Sequence, residues 1–162
     1  MNPSQPTKRL GELLIAQHLI TESQLDHALA HQRSTREFLG AILLKMGFIT
    51  PDALLVTLSE QFGLPRESVS PDRVDWKVVK QFPASALADG KCFPIRANAE
   101  SVTVAIANPL DAWALSAIEQ AAGVRKVKAV LILDTELQRI LQEYRRQSYQ
   151  AIEEQFKDHD RP

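Results

Sequence analysis

The sequence predicts an α+β protein: an N-terminal four-helix mini-bundle of two tandem helical hairpins, then a small α+β subdomain with a three-stranded sheet. Three observations predict it. A 23-residue stretch occurs twice, as LGELLIAQHLITESQLDHALAHQ over residues 10–32 and as LGAILLKMGFITPDALLVTLSEQ over residues 39–61. Each copy shows helical spacing of its leucines, interrupted once by a turn. After residue 65 the pattern changes to short alternating runs separated by turn residues, the mark of strands.

The matches within the duplication all fall at an offset of 29: Leu10/Leu39, Gly11/Gly40, Leu14/Leu43, Ile20/Ile49, Thr21/Thr50, Leu25/Leu54, Leu29/Leu58 and Gln32/Gln61. Helical sequence repeats its apolar spacing freely, but not a Gly, a Thr and a Gln in register. A duplicated unit implies a pseudo-symmetric pair of sites, or one site shared between two halves.

Residues 1–7 read as a flexible lead-in. In the first repeat Leu10, Leu13 and Leu14 form an apolar stripe, and the chain turns near His18. Thr21 is an N-cap with Gln24 completing a capping box, and Ile20 with Leu25 forms a hydrophobic staple. Leu25, Leu29 and Gln32 then share one helical face. The second repeat uses the same grammar. Gly47 ends its first helix in a left-handed cap, Thr50 caps the next helix with Pro51 at its first position, and Ile49 and Leu54 repeat the staple. The polar run 33–37 connects the two hairpins.

Phe62-Gly63-Leu64-Pro65 is a breaker cluster, and residues 68–75 form an irregular connection. Short helices are expected over 76–81 and 84–88, the latter ending at Gly90. Strands are expected over 92–96 and 101–107, with a hairpin turn at Asn98-Ala99-Glu100. Asn108-Pro109 opens a helix through about Ala121, closed by Gly123. A third strand spans 127–133, and Asp134 or Thr135 caps a long C-terminal helix whose Leu137, Ile140, Leu141 and Tyr144 lie on one side. The domains expected are 1–65, 66–146 and a helix end or linker tail over 147–162.

Composition narrows the function. A formal net charge of −1 argues against a DNA or RNA binder, which carries a basic excess. One cysteine, Cys92, excludes an internal disulfide and a cysteine-based zinc site, so the expected setting is reducing and cytoplasmic. Cys92 itself reads as a small buried residue, and Phe93 and Trp113 read as packing. His27 and His31 stand at i, i+4 without a third ligand, so no metal site is expected. No GxxxxGK[ST] phosphate loop, paired carboxylates or nucleophilic triad is visible. An enzyme is not expected.

The repeats are the candidate site. Each opens with Leu-Gly at a helix start, where backbone N–H groups favour an anion and glycine permits close approach. Arg9 can pair bidentately with a guanine edge or a phosphate, Leu25, Leu29, Leu54 and Leu58 can line a dry cleft, and Gln32 both donates and accepts. Leu13, Leu14, Leu43 and Leu44 read as core. For the cleft leucines both roles hold together, and Gly11 and Gly40 taken alone read as sites of close helix packing. Two quasi-equivalent units suit a two-fold symmetric ligand such as a cyclic dinucleotide.

The run Arg9-Leu10-Gly11, Leu14, Ile20, Leu25, Ala28-Leu29, Gln32, a spacer, and then Leu39-Gly40 through Gln61 resembles the MshEN domain, the N-terminal region of type II secretion and type IV pilus assembly ATPases. The stretch FPIRANAESVTVAIANPLD and the strand VKAVLIL are similar to the second half of that region. The resemblance implies cyclic di-GMP as ligand, no intrinsic cofactor, and Arg9, Leu10, Gly11, Leu25, Leu29, Gln32, Leu39, Gly40, Leu54 and Leu58 as binding residues, with Gln61 a weaker candidate. It further implies a secretion or pilus ATPase domain as partner, in cis or in trans, and attachment to the inner membrane through a secretion component. The alternative within the same architecture is a docking adaptor that binds no nucleotide. Three positions depart from the motif: His18 stands where glycine is usual, Phe38 stands at the place of Arg9, and Thr7 carries no charge.

Overall fold

The computed structural model describes residues 9–123 and 125–159, apart from the side chains of residues 112, 113 and 155–159. The lead-in over residues 1–7, Lys8 and the packing of Trp113 lie outside that range. The described residues fall into two compact units, divided between Arg66 and Glu67.

The first unit holds four helices, α1 (Leu10–Ala16), α2 (Glu22–Thr35), α3 (Leu39–Lys45) and α4 (Pro51–Phe62). Local chemistry sets their starts. Thr21 Oγ1 accepts from the Gln24 N–H at 3.2 Å while Gln24 Oε1 accepts from the Thr21 N–H at 2.9 Å, a complete capping box. Thr50 Oγ1 accepts from the Ala53 N–H at 3.2 Å, and Pro51 occupies the first helical position. Both first helices end in the same Schellman turn. His18 N–H bonds to the Ile15 carbonyl and Leu19 N–H to that of Leu14. In the second repeat Gly47 bonds to Leu44 and Phe48 to Leu43.

One boundary differs from expectation. Residues 33–35 do not belong to a connector but extend α2, because Ser34 Oγ and Thr35 Oγ1 donate back to the His31 carbonyl at 2.8 and 3.2 Å. The helix ends only where Arg36 turns left-handed at φ 60°, and Arg36–Glu37–Phe38 remain as the link.

The dominant helix pairings cross between repeats: α1 packs on α4, α2 on α3, and α1 on α3. Exchanging the repeats maps the first pairing onto the second and leaves the third unchanged, so the unit has an internal two-fold relation. Leu14, Ile20, Ala28, Ile42, Leu43 and Ile49 form its buried centre, with Leu10, Leu25, Leu39 and Leu54 packed around them.

The second unit builds a three-stranded mixed sheet in the order β1 (Cys92–Ala97), β2 (Ser101–Ile106), β3 (Lys126–Leu131). β1 and β2 are antiparallel and joined by an Asx turn in which Asn98 Oδ1 accepts from the N–H groups of Glu100 and Ser101 at 2.9 and 2.7 Å. β2 and β3 are parallel, so they need a crossover. It is made by a 3₁₀ segment, Pro109–Ala114, followed by α7 (Leu115–Ala122). The single helix expected there is broken because Asn108 accepts through Oδ1 from Leu110 N–H and through its carbonyl from Asp111 N–H, which tightens the first turns.

Two short helices, α5 (Trp76–Val79) and α6 (Ala84–Leu87), precede the sheet, and α8 (Asp134–His159) follows it. The cap of α8 is neither Asp134 nor Thr135: Leu133 holds that place, its carbonyl accepting from Leu137 N–H and its N–H donating to Glu136 Oε2 at 3.1 Å. α5 packs on β1, α7 on β3 and α8 on β2. Fully buried Phe93 meets Trp76 and Tyr144 edge-on at centroid distances of 6.2 and 5.4 Å, the packing role expected of it. No helix among the described residues is long and apolar enough to cross a membrane.

Candidate functional site

Arg9 is the cap residue of α1, extended at φ −64°, ψ 149°, with its N–H donating to Glu12 Oε2 at 3.2 Å. Its side chain belongs to an exposed residue. Leu10 and Gly11 begin the helix, and Leu39 and Gly40 begin α3 in the same way behind the cap residue Phe38. Leu25, Leu29 and Gln32 lie along α2, and Leu54 and Leu58 along α4.

The structure brings part of this set together tightly. A methyl group added at Gly11 would sit 2.7 Å from Leu25 Cδ1, and one at Gly40 would sit 3.1 Å from both Cδ atoms of Leu54. Each repeat thus closes its own glycine with its own staple leucine. Leu10 reaches across, its Cδ2 lying 3.7 Å from where a methyl at Gly40 would stand, so the first opening approaches the second where α1 packs on α3. The glycines serve close packing on the leucine side, and Leu25 and Leu54 lie partly buried against the core of the unit. Leu29 is half-buried one turn beyond Leu25, and Leu58 is buried one turn beyond Leu54.

Gln32 has a structural duty that its spacing did not suggest. Its Nε2 donates to the Glu37 carbonyl at 2.8 Å and so ties the end of α2 to the link between the repeats. Lys45 pairs with Glu37 beside the same link.

A second polar feature escaped the sequence reading. Thr57, fully buried on α4, donates from its hydroxyl to Gln17 Oε1 at 2.8 Å, and Gln17 Nε2 donates to Glu60 Oε2 at 2.5 Å. This chain pins α1 to α4. The duplication does contain a signal for it, because the counterpart of Thr57 at an offset of 29 is Ala28, also fully buried. A hydroxyl standing where the other copy has a methyl needs a partner.

Other candidates resolve simply. His27 lies 6.2 Å from the Phe48 ring, centroid to centroid, and no group of three or more potential ligands gathers among the described residues. Cys92 is fully buried, donates to the Ala114 carbonyl at 3.2 Å, and is pushed up to about 12 by burial, with smaller contributions from Asp89 and Asp111. A thiol so protonated is no nucleophile at neutral pH. The second unit also has a cavity of about 160 Å³ lined by Asp89, Lys91, Asp111, Asp134 and Arg145 among others. That is smaller than the roughly 300 Å³ typical of drug-sized ligand sites, and no residue of the repeats lines it.

The MshEN domain matches residues 62–151, more than half of the chain. The chain belongs to the MshEN domain family. That match covers the second unit to residue 151 and only the last five residues, 62–66, of the first, downstream of the Leu-Gly openings. Wider similarity reaches the repeats. A solved structure described as MshE with cdg is 27% identical and superposes with a TM-score of 0.70, covering 80% of this chain and 94% of that one. This is more than the second unit alone provides. The N-terminal domain of XpsE shares the fold, with a TM-score of 0.64 at 19% identity, covering 88% and 97% of the two chains.

Among curated relatives, the type IV pilus assembly ATPase PilB of Thermus thermophilus is 30% identical over 119 residues, 72% of this chain. Bacteriophage adsorption protein B of Escherichia coli is 31% identical over 124 residues, 76% of this chain. The chain spans only 13% and 16% of the length of these two proteins.

Proposed function

We propose that this chain is a regulatory cyclic di-GMP-binding domain associated with a type II secretion or type IV pilus assembly ATPase, holding the ligand across its two repeats. The observation that carries the reading is the likeness to MshE with cdg over 80% of the chain, joined to a first unit with its own two-fold relation. Cyclic di-GMP is itself two-fold, with two guanines and two phosphates.

In this reading the Arg9 guanidinium reads a guanine edge. Leu10 and Leu39 meet the ligand backbone, while Gly11 and Gly40, both buried, let the helix starts approach closely enough to present them. Leu25, Leu29, Leu54 and Leu58 wall the base faces, and Gln32 holds the link that keeps the repeats in register. The ATPase is joined in cis or acts in trans. With no GxxxxGK[ST] loop in the sequence, hydrolysis belongs to another segment or another chain.

Calorimetric titration tests the reading, with GTP and cyclic di-AMP as controls. Saturable binding of cyclic di-GMP, tighter than that of either control, is expected, and no binding overturns the reading. Arg9→Ala is expected to lose about 1–3 kcal/mol of binding, the worth of a bidentate contact to guanine, with thermal unfolding unchanged because the residue is exposed. Unchanged affinity removes Arg9 from the site.

A second reading, a docking adaptor for an inner-membrane secretion component, is favoured by one observation. Leu25 and Leu54 already cover Gly11 and Gly40, so these openings have a packing role without any nucleotide. Hydrogen exchange separates the two. A receptor shows protection of the repeat backbones by cyclic di-GMP, because a ligand shifts only the states it binds differently. Absence of protection at saturation, with tight binding to a secretion-complex membrane partner, makes the adaptor reading the better one.

A further inference from the structure

Arg9 and Phe38 stand at equivalent places in the two repeats, and their backbones are nearly the same: φ −64°, ψ 149° for Arg9 and φ −65°, ψ 138° for Phe38. The next two residues also repeat, Leu10-Gly11 and Leu39-Gly40, each glycine closed by its own leucine. Equivalent backbones in a unit whose helix pairings exchange with the repeats send their Cα–Cβ bonds in directions related by that same exchange. One bond carries a guanidinium. The other carries a phenyl ring that is 47% exposed, although the neighbouring apolar positions Ile42 and Leu43 are buried to within 1%. The core takes up only part of this ring, and holding the rest in water forgoes stabilisation that fuller burial would give.

We infer that the two halves of the site read the two bases of a cyclic dinucleotide by different means: Arg9 selects a guanine by its edge, and Phe38 holds the second base by its face alone. The inference rests on the cyclic di-GMP reading above. Guanine presents two acceptors, O6 and N7, to the forked donors of arginine, whereas adenine puts an amino donor where O6 would be and opposes the fork. A phenyl ring has neither donor nor acceptor and stacks on any base. The site therefore demands one guanine, not two. A mixed 3′,3′-cyclic GMP-AMP, with its guanine against Arg9 and its adenine against Phe38, is a ligand of the same site.

Titration of the purified 162-residue chain with cyclic di-GMP, 3′,3′-cyclic GMP-AMP and cyclic di-AMP tests this. The symmetric ligand binds in two indistinguishable orientations and the mixed one in a single productive orientation, so the mixed ligand is expected about twofold weaker. Cyclic di-AMP must set an adenine against Arg9 but also binds in two indistinguishable orientations, so it is expected about threefold to eightyfold weaker than the mixed ligand. Phe38→Arg restores edge reading at the second half, and is expected to weaken the mixed ligand about tenfold relative to cyclic di-GMP. Phe38→Ala is expected to weaken both by about tenfold through lost stacking, with a thermal unfolding midpoint lowered only by the loss of the ring's buried half. If cyclic di-GMP binds while the mixed ligand falls tenfold or more below it, the inference is overturned and the receptor reading stands. If Phe38→Ala leaves both affinities unchanged, the stacking role is overturned. If cyclic di-GMP does not bind at all, the receptor reading fails and takes this one with it.

Discussion

Leu25 closes over Gly11 more tightly than Leu54 closes over Gly40: an added methyl would meet its leucine at 2.7 Å in the first repeat and at 3.1 Å in the second. The two contacts are copies of one another, and the first leaves less room for a side chain than the second.

Gly11→Ala forces Leu25 to move against the buried centre of the first unit. Overpacking of this kind costs about 1–3 kcal/mol, against a helix-propensity gain of about 1 kcal/mol for replacing glycine. A net loss is expected for Gly11→Ala and a value near zero for Gly40→Ala, both measured by denaturant titration. Equal costs at the two positions would contradict the difference in contact.

His18 takes a left-handed backbone at φ 56°, where its counterpart Gly47 sits at 69°. Both close the same turn, so glycine fits either place. His18→Gly is expected to raise stability by up to about 1 kcal/mol, part of the relieved strain being offset by glycine's freedom in the unfolded chain. Gly47→Ala is expected to lose about 1 kcal/mol or slightly more, the cost of a Cβ in that region. A midpoint that falls for His18→Gly would mean the imidazole holds something that its exposure conceals.

Thr57→Val keeps the shape of a fully buried side chain and removes the hydroxyl that reaches Gln17. A loss of about 1 kcal/mol is expected, the ordinary worth of such a bond. In a Gln17→Ala background the same change is expected to cost less, and a double-mutant cycle reads the coupling. Full additivity would show that Thr57 acts through the Ala53 carbonyl, 3.0 Å away.

Glu67 and Arg96 form a two-pronged pair in the second unit, with Nη1 and Nη2 donating at 2.8 and 2.5 Å. The Arg96 hydrogen bond holds the Glu67 carboxyl below its ordinary value of 4.5. A carboxylate depressed in the folded state contributes stability that is present above 4.5 and is lost as pH falls through its folded value. Arg96 is exposed and Glu67 partly so, so the gap between the chain and Glu67→Gln at neutral pH is expected to be at most about 1 kcal/mol. That gap closes on acidification. One that persisted in strong acid would have another origin than the ion pair.

The parts legible in the sequence are those written in neighbouring residues. The capping box at Thr21, the Thr50-Pro51 start, the left-handed turn at Gly47 and the Asn98 hairpin each depend on a few adjacent side chains. The extension of α2 through Thr35 was hidden because Ser34 and Thr35, usual signs of a loop, spend their hydroxyls on the His31 carbonyl. The break at Asp111 was hidden by an apolar spacing that suits one helix. At the site, spacing named the residues that repeat, but left Gly11 open between close packing and ligand approach, and only the placement of Leu25 shows how closely packed it is. Gln17 and Glu60 carry no sequence signal, since nothing local says that α1 will lie on α4.

That crossed pairing reaches beyond the bundle itself. A single repeat alone would expose half of every α1–α4, α2–α3 and α1–α3 contact, and two separate copies would satisfy them as a symmetric dimer. Joining the copies through Arg36–Glu37–Phe38 turns the dimer's axis into an internal one. In a dimer of identical chains every substitution is made twice; in the joined form it is made once. Arg9 against Phe38, His18 against Gly47 and Ala28 against Thr57 are the differences that only the joined form can hold, and through them a symmetric scaffold acquires two distinguishable sides.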